Sequence, residues 1–330
     1  TSRLLICISM TTMTMTMMTI TTNQRTTTMY TNLDHLTTTN NRDIFFSVFE
    51  QDVVGITTGV VPQNYKMLTK GDGFSEEDTF LSIVKDKYRV VENEEVLMPL
   101  QEQMVNFFDP SVLQDIQIKD TMLKGGAVCF AEYILPRVSK PVETSTGHRT
   151  DVGLRFIQKT SFDGSSSVVL YSGDIDFFCT NGQINGTYDV TRKRHTKNFS
   201  VNDFTLALAD TLDTYSNTVM QYQRWADTKI NNSSKVIDLF RKLTTGTTAE
   251  PKRKNALADK LFAQYTDEVK VRGSNVFSLV SSLSNYSSHG DKDDRFALTA
   301  AGDGGTLLKR QEQVGNWLTS SVFEDFLEVV

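Results

Sequence analysis

Two apolar runs, residues 152–159 and 168–171, flank the polar cluster Ser161-Phe162-Asp163-Gly164-Ser165-Ser166, and this pattern constrains the fold more than any other. An Asp-Gly pair between strand-forming runs supplies the backbone freedom of a tight reversal, so the stretch predicts a β-hairpin with Asp163 and Gly164 at its turn. Gly173 separates a further short strand, Ile175-Asp176-Phe177-Phe178-Cys179. Cys179-Thr180-Asn181-Gly182 then breaks the run, and Asn181 and Gly182 read as a second structural turn, with Asn181 satisfying backbone groups.

Upstream, folded sequence is expected from about Asp43, with Ile44-Phe45-Phe46-Ser47-Val48-Phe49. A helix is predicted over 75–85, where Ser75 can cap and Asp78 stands in the capping-box position. Tyr88-Arg89-Val90-Val91 reads as a short strand, and Asn93 as the cap of a helix through Val96, Leu97, Leu100 and Met104, with Glu94 and Glu95 at its positive end. Ile116 and Ile118 alternate inward in a strand. Gly125-Gly126 makes a turn before a strand over 127–135 that Pro136 should stop, and 136–150 reads as an exposed loop.

Downstream the period changes. Ser200 with Asp203 resembles a capping box, and Phe204, Leu208, Leu212, Tyr215, Val219, Tyr222 and Ala226 fall at helical spacing. Helices over 234–243, 255–271 (ended by Gly273) and 274–286 follow, and a last amphipathic helix carries Trp317, Leu318, Val322, Phe323, Phe326 and Leu327. Strands first and helices after predict an α+β fold, an antiparallel sheet with a long helix and a C-terminal helical region packed on it. The expected divisions are a low-complexity tail over 1–42, one α+β domain over 43–290, and a mobile loop with a C-terminal helix over 291–330. The Thr- and Met-rich tail reads either as disordered chain or as residues ahead of a true start at Met18 or Met29.

Charge narrows the function classes. The 330 residues carry a formal net charge of −6, so any contact with a polyanion must come from a local patch, not the global field. One stretch concentrates positive charge: Thr191-Arg192-Lys193-Arg194-His195-Thr196-Lys197. Arg192, Lys193, Arg194, His195 and Lys197 are candidate phosphate contacts, and Tyr188, outside the apolar alternation, is a candidate stacking face for a base. The bland reading is a solvated loop that balances an acidic body. Arg241-Lys242 with Lys252-Arg253-Lys254 would extend a cationic track or simply be a solvated helix end.

Chemistry beyond binding finds little support. Asp174 and Asp176 share a strand face and could hold Mg²⁺ for a nuclease, but no motif places a third acidic ligand. Cys179 and His195 invite a nucleophile–base reading; Cys179 ends an apolar strand, which favours an inert thiol, and the cations around His195 disfavour its protonated form. Cys7, Cys129 and Cys179 form no CxxC pair or Cys/His cluster, which argues against zinc and for buried thiols in a reducing compartment. Gly125-Gly126 and Gly304-Gly305 lack the context of a phosphate loop. No catalytic residue, metal or cofactor is assigned. No apolar run approaches the roughly 20 residues of a membrane-spanning helix, and Leu4-Leu5-Ile6-Cys7-Ile8 is too short for a signal peptide, so a cytosolic protein without membrane contact is expected.

Five segments in order then carry a resemblance: Lys87-Tyr88-Arg89-Val90-Val91-Glu92-Asn93-Glu94-Glu95; Gly125-Gly126-Ala127-Val128-Cys129-Phe130; Phe162-Asp163-Gly164-Ser165-Ser166-Ser167; Phe178-Cys179-Thr180-Asn181 with Arg194-His195-Thr196-Lys197-Asn198; and Asn275-Val276-Phe277 to Ser284-Asn285-Tyr286. Together they resemble the phage/plasmid-like protein family built on domain of unknown function 932. Asp174 and Asp176 stand where that family usually has a basic residue. The resemblance implies a phage or plasmid gene acting in the host bacterial cytoplasm, and its layout is similar to phage single-strand annealing proteins. The first expectation is therefore a non-enzymatic protein of DNA replication or recombination. It would bind single-stranded DNA as a homo-oligomer and work beside a phage exonuclease or replication proteins. The second is a protein–protein module, virion-associated or acting in host takeover, in which the basic loop is mere surface. A metal-dependent nuclease is the third.

Overall fold

A computed structural model describes residues 26–30, 42–53, 63–71, 78–176, 181–183, 191–195, 200, 202–245, 251–289 and 305–330. The strand order of the larger sheet is β1-β5-β6-β7-β8-β10, with β9 beside β8, and a second sheet has the order β2-β3-β4. The fold is α+β with antiparallel pairing and a C-terminal helical region, as the order of periodicities predicts. The chain divides into two compact units. Unit 1 holds Thr1–Tyr133, Ile157–Leu170 and Val190–Leu208, and unit 2 holds Ile134–Phe156, Tyr171–Asp189 and Ala209–Val330.

In unit 1, β1 (Thr26–Tyr30) pairs antiparallel with β5 (Gln117–Leu123). It lies inside the stretch expected to be a disordered tail; its threonines suit an extended backbone. β2 (Val48–Asp52), β3 (Tyr65–Lys70) and β4 (Thr79–Lys85) form the smaller sheet. β4 corrects the helix expected over 75–85: Thr79, Phe80, Ile83 and Val84 are β-branched or aromatic and fit a half-buried pleat better than a helical turn. Tyr88-Arg89-Val90-Val91 forms no strand.

Helix α1 (Asn93–Phe107) buries Val96, Leu97, Leu100 and Met104. Its N-cap position is Glu92, not Asn93. The Asn93 side chain is buried, and its Nδ2 donates to the Ile44 carbonyl (2.8 Å), a tie to distant chain rather than a cap. A short α2 (Pro110–Leu113) follows, capped by Asp109. Beneath them Arg42, also within the expected tail, makes a two-pronged ion pair with Asp120, Nε to Oδ2 at 2.7 Å and Nη2 to Oδ1 at 2.6 Å. Gln101 Nε2 donates to the hydroxyl of buried Tyr133 in the same cluster (2.7 Å). Burying charge is tolerated only with such pairing.

β6 (Val128–Glu143), which passes into unit 2 at Ile134, runs through Pro136 and Pro141 to a reversal at 144–148 and returns as β7 (Arg149–Ser161), which leaves unit 2 after Phe156. The expected stop at Pro136 and loop over 136–150 are thus a continuous hairpin. β5 has seven residues and cannot cover all sixteen of β6, so the later part has an open edge where a missing N–H costs nothing. At the end of that edge the Gln223 amide closes on the Glu143 backbone, accepting from its N–H (3.0 Å) and donating to its carbonyl (2.8 Å).

Gln223 belongs to the long helix α3 (Asn202–Asp227), whose Tyr215 hydroxyl lies 2.5 Å from the carbonyls of both Val138 and Val152. The remaining helices are α4 (Ser233–Thr245), α5 (Pro251–Arg272), α6 (Val276–His289), α7 (Gly305–Leu318) and α8 (Ser321–Val329). Phe240, Leu261, Leu279, Leu283, Trp317 and Phe323 are buried in their shared core. The single helix expected around Trp317 is two, because Ser320 turns the chain and its Oγ accepts from the Phe323 N–H (3.3 Å). Residues 290–304, expected as a mobile loop, lie outside the described residues. No helix among the described residues is long and apolar enough to cross a membrane.

Candidate nucleic-acid interface

The first part of the basic run, Thr191–Lys193, is a strand. β10 (Thr191–Lys193) pairs antiparallel with β8 (Val168–Asp176), setting Arg192 opposite Val169 and Lys193 opposite Val168, and ends the strand order. Side chains alternate along an extended backbone, and exposure follows: Arg192 and Arg194 are exposed, Lys193 is half-buried and His195 is buried. The structure turns two arginines outward and the histidine in. Cations on an open edge also discourage pairing with another chain.

His195 therefore cannot serve as the phosphate contact expected of it. Its ring stacks on Tyr88, centroids 4.7 Å apart and planes at 19°, and its carbonyl accepts from the Arg89 N–H (3.3 Å). Burial pulls its pKa from 6.5 down to about 4, so the imidazole is neutral near pH 7. The cause is desolvation, not the neighbouring cations.

Tyr88 is held in turn from below. Its hydroxyl donates to the Ser161 carbonyl (2.7 Å), and burial with the nearby Asp163 charge keeps the phenol protonated well above its usual range. Asp163 is at the predicted turn: its Oδ1 accepts from the Ser165 N–H (2.9 Å), Oδ2 meets Lys124 Nζ (2.9 Å), and Gly164 has the left-handed φ of 69° that the reversal needs. Burial would raise the Asp163 pKa, but the bonds from Ser165 and Lys124 outweigh it and hold the carboxyl below its usual value. Phe162 donates its N–H to the Ala127 carbonyl (2.7 Å) and accepts Ser82 Oγ at its own carbonyl (2.6 Å). Segments starting at Lys87, Gly125, Phe162 and Arg194, four that carry the resemblance, thus meet around one tyrosine.

This junction brings a second cationic segment to the first. Lys85, Asp86 and Lys87 are exposed, and Lys87 and Arg194 each stand one residue from the Tyr88–His195 stack. Arg89 is half-buried and pairs with Glu95. The sequence neighbours of opposite sign to Lys85, Lys87, Arg89, Arg192 and Arg194 are Asp86, Glu92, Glu94, Glu95 and Asp189. Sequence reasoning missed the lysines. The chain turns at Asp86-Lys87, where the Tyr88 N–H donates to the Lys85 carbonyl (2.9 Å), so no linear alternation marks them.

The other expected positions are distributed as follows. Lys197 and Tyr188 lie outside the described residues, as do Cys7 and Cys179. Asn181 and Gly182 are not a turn: they sit in β9 (Asn181–Gln183), opposite Asp176 and Ile175 of β8. Asp174 and Asp176 are in β8. Among the described residues no group of three or more His, Cys, Asp or Glu could hold a metal ion. Cys129 is a buried free thiol pushed up to about 12 by burial, unsuited to nucleophilic work. Arg241 and Lys242 are exposed at the end of α4, Arg241 beside Asp238 (3.6 Å).

Compared with known families, the sequence matches the one described as "Domain of unknown function (DUF932)" over residues 80–316. No curated protein and no solved structure matches the chain.

Proposed function

We propose that this chain, which belongs to the DUF932 family, binds the phosphate backbone of single-stranded DNA without catalysing a reaction, in the service of DNA replication or recombination. The observation that carries the reading is the Tyr88–His195 stack, which locks cations from two distant segments side by side in a chain of net charge −6. An acidic body repels a polyanion everywhere except at such a patch, so the patch fixes where the strand lies. Lys85 and Arg192 stand on strands, so part of the ordering cost of holding phosphate is met by folding. Each phosphate neutralised releases counterions, and affinity for a single strand falls with salt by roughly 0.7 log units per contact per decade.

Fluorescence anisotropy of a labelled oligonucleotide with the full chain tests this. The expected result is binding at about 50 mM salt that weakens steeply by about 200 mM. Absence of binding at low salt, or binding indifferent to salt, overturns the reading and leaves the basic edge as a surface for protein partners.

A further inference from the structure

Phosphate contacts alone do not distinguish a single strand from a duplex; a stacking face for bases does. We infer that Tyr65 is that face, a nucleobase platform at the margin of the same cationic surface. The inference rests on the binding reading above and adds to it which residue touches the bases.

The register of the smaller sheet sets Tyr65 opposite Lys85, Met67 opposite Ile83, and Gln51 opposite Met67. Residues opposite one another in an antiparallel pair project to the same side, and successive residues alternate. Tyr65, Met67, Lys85, Ile83 and Gln51 therefore share one face; Met67 on it is buried, while Tyr65, Ile83 and Lys85 at its end are exposed. The opposite face carries Leu68 and Val84, both buried, and Ser82, whose hydroxyl is bonded to the Phe162 carbonyl. Glu50 and Asp52 alternate to that side too, and Glu50 is engaged by Lys66 (2.6 Å).

The exposed end of the Tyr65 face thus has no carboxylate among these sheet residues. It shows a tyrosine that is 48% exposed, an isoleucine that is 41% exposed, and the exposed Lys85. An aromatic ring lying open to water beside an aliphatic side chain and a cation has the composition of a base-stacking site. β4 then leads from Lys85 into Lys87 and the Tyr88–His195 junction, so bases on Tyr65 and phosphates on Lys85, Lys87 and Arg194 can belong to one strand. In a duplex the base faces are already stacked on each other, and Tyr65 finds no partner.

The test compares a labelled single-stranded oligonucleotide, an abasic strand with the same number of phosphates, and a duplex of equal length, each titrated with the full chain. Wild type is expected to bind the base-bearing strand about tenfold more tightly than the abasic one. Tyr65→Ala should erase that difference without changing the salt slope, and Tyr65→Phe should restore it. Equal wild-type affinity for the base-bearing and abasic strands, or a Tyr65→Ala loss that is the same for both, overturns the assignment while salt-dependent binding still stands. Wild type that binds no strand overturns the phosphate-binding reading itself.

Discussion

Replacing His195 by Phe should make the strand-bearing unit resist acid. The imidazole is buried against Tyr88, and among the described residues its ring nitrogens meet at most the Arg89 backbone, so a phenyl ring can take its place in the stack. The folded pKa is about 4 against 6.5 in the unfolded chain, so between these values the unfolded state binds more protons than the folded state. Stability is therefore lost as pH falls through this window, and the loss is complete below about 4. Linkage with these two values gives a wild-type penalty that is negligible at pH 7, about 1 kcal/mol at pH 5.5 and about 2–3 kcal/mol at pH 4.5. His195→Phe removes that component, while protonation of carboxylates is common to both proteins and cancels in the difference. Trp225 and Trp317 both lie in the helical unit, so intrinsic fluorescence would follow the wrong half. Urea unfolding followed by hydrogen exchange in peptides covering residues 79–89 and 191–195 reads the correct one. Parallel loss of stability in both proteins from pH 7 to pH 4.5 would refute the buried, neutral imidazole.

Other perturbations probe the rest of the scaffold. Asp120→Ala leaves the buried Arg42 guanidinium without its carboxylate and should cost about 3–5 kcal/mol, read as a lower urea midpoint by circular dichroism. Asn275→Ala removes the side chain that accepts from the Ser278 N–H (2.8 Å) at the start of α6, and should cost about 1–2 kcal/mol, here visible in tryptophan fluorescence. Tyr88→Leu keeps an apolar filler but loses the ring stack and the bond to Ser161; strand affinity should fall although no charge has changed, as anisotropy would show.

The parts legible in sequence were those fixed by short-range chemistry. The Asp163-Gly164 reversal and the helical period from Phe204 to Ala226 each carry their own signal, and both are present as α+β architecture requires. What failed depended on neighbours. Whether Pro136 ends a strand is decided by whether another strand needs its N–H, and β5 is too short to need it. Asp78 after Ser75 looked like a helix start, yet Thr79–Lys85 finds a strand partner in β3, and the ladder outweighs the local cue. At the site, Arg192 and Arg194 were identified from charge alone. The inward turn of His195 follows from alternation only once the run is known to be extended, and Lys87 and Tyr65 are set beside the cationic edge by register and ring stacking that no linear pattern encodes.

The central claim is that two segments about a hundred residues apart in sequence act as one binding surface, and salt titration of paired variants tests it most directly. With Lys85, Lys87, Arg192 and Arg194 each on a phosphate, the slope of log affinity against log salt should be about −2.8 for the wild type. Arg192→Gln with Arg194→Gln should bring it to about −1.4, and Lys85→Gln with Lys87→Gln should do the same. A slope that falls with the arginine pair but is untouched by the lysine pair would contradict the joint surface and return the interface to the edge strand alone.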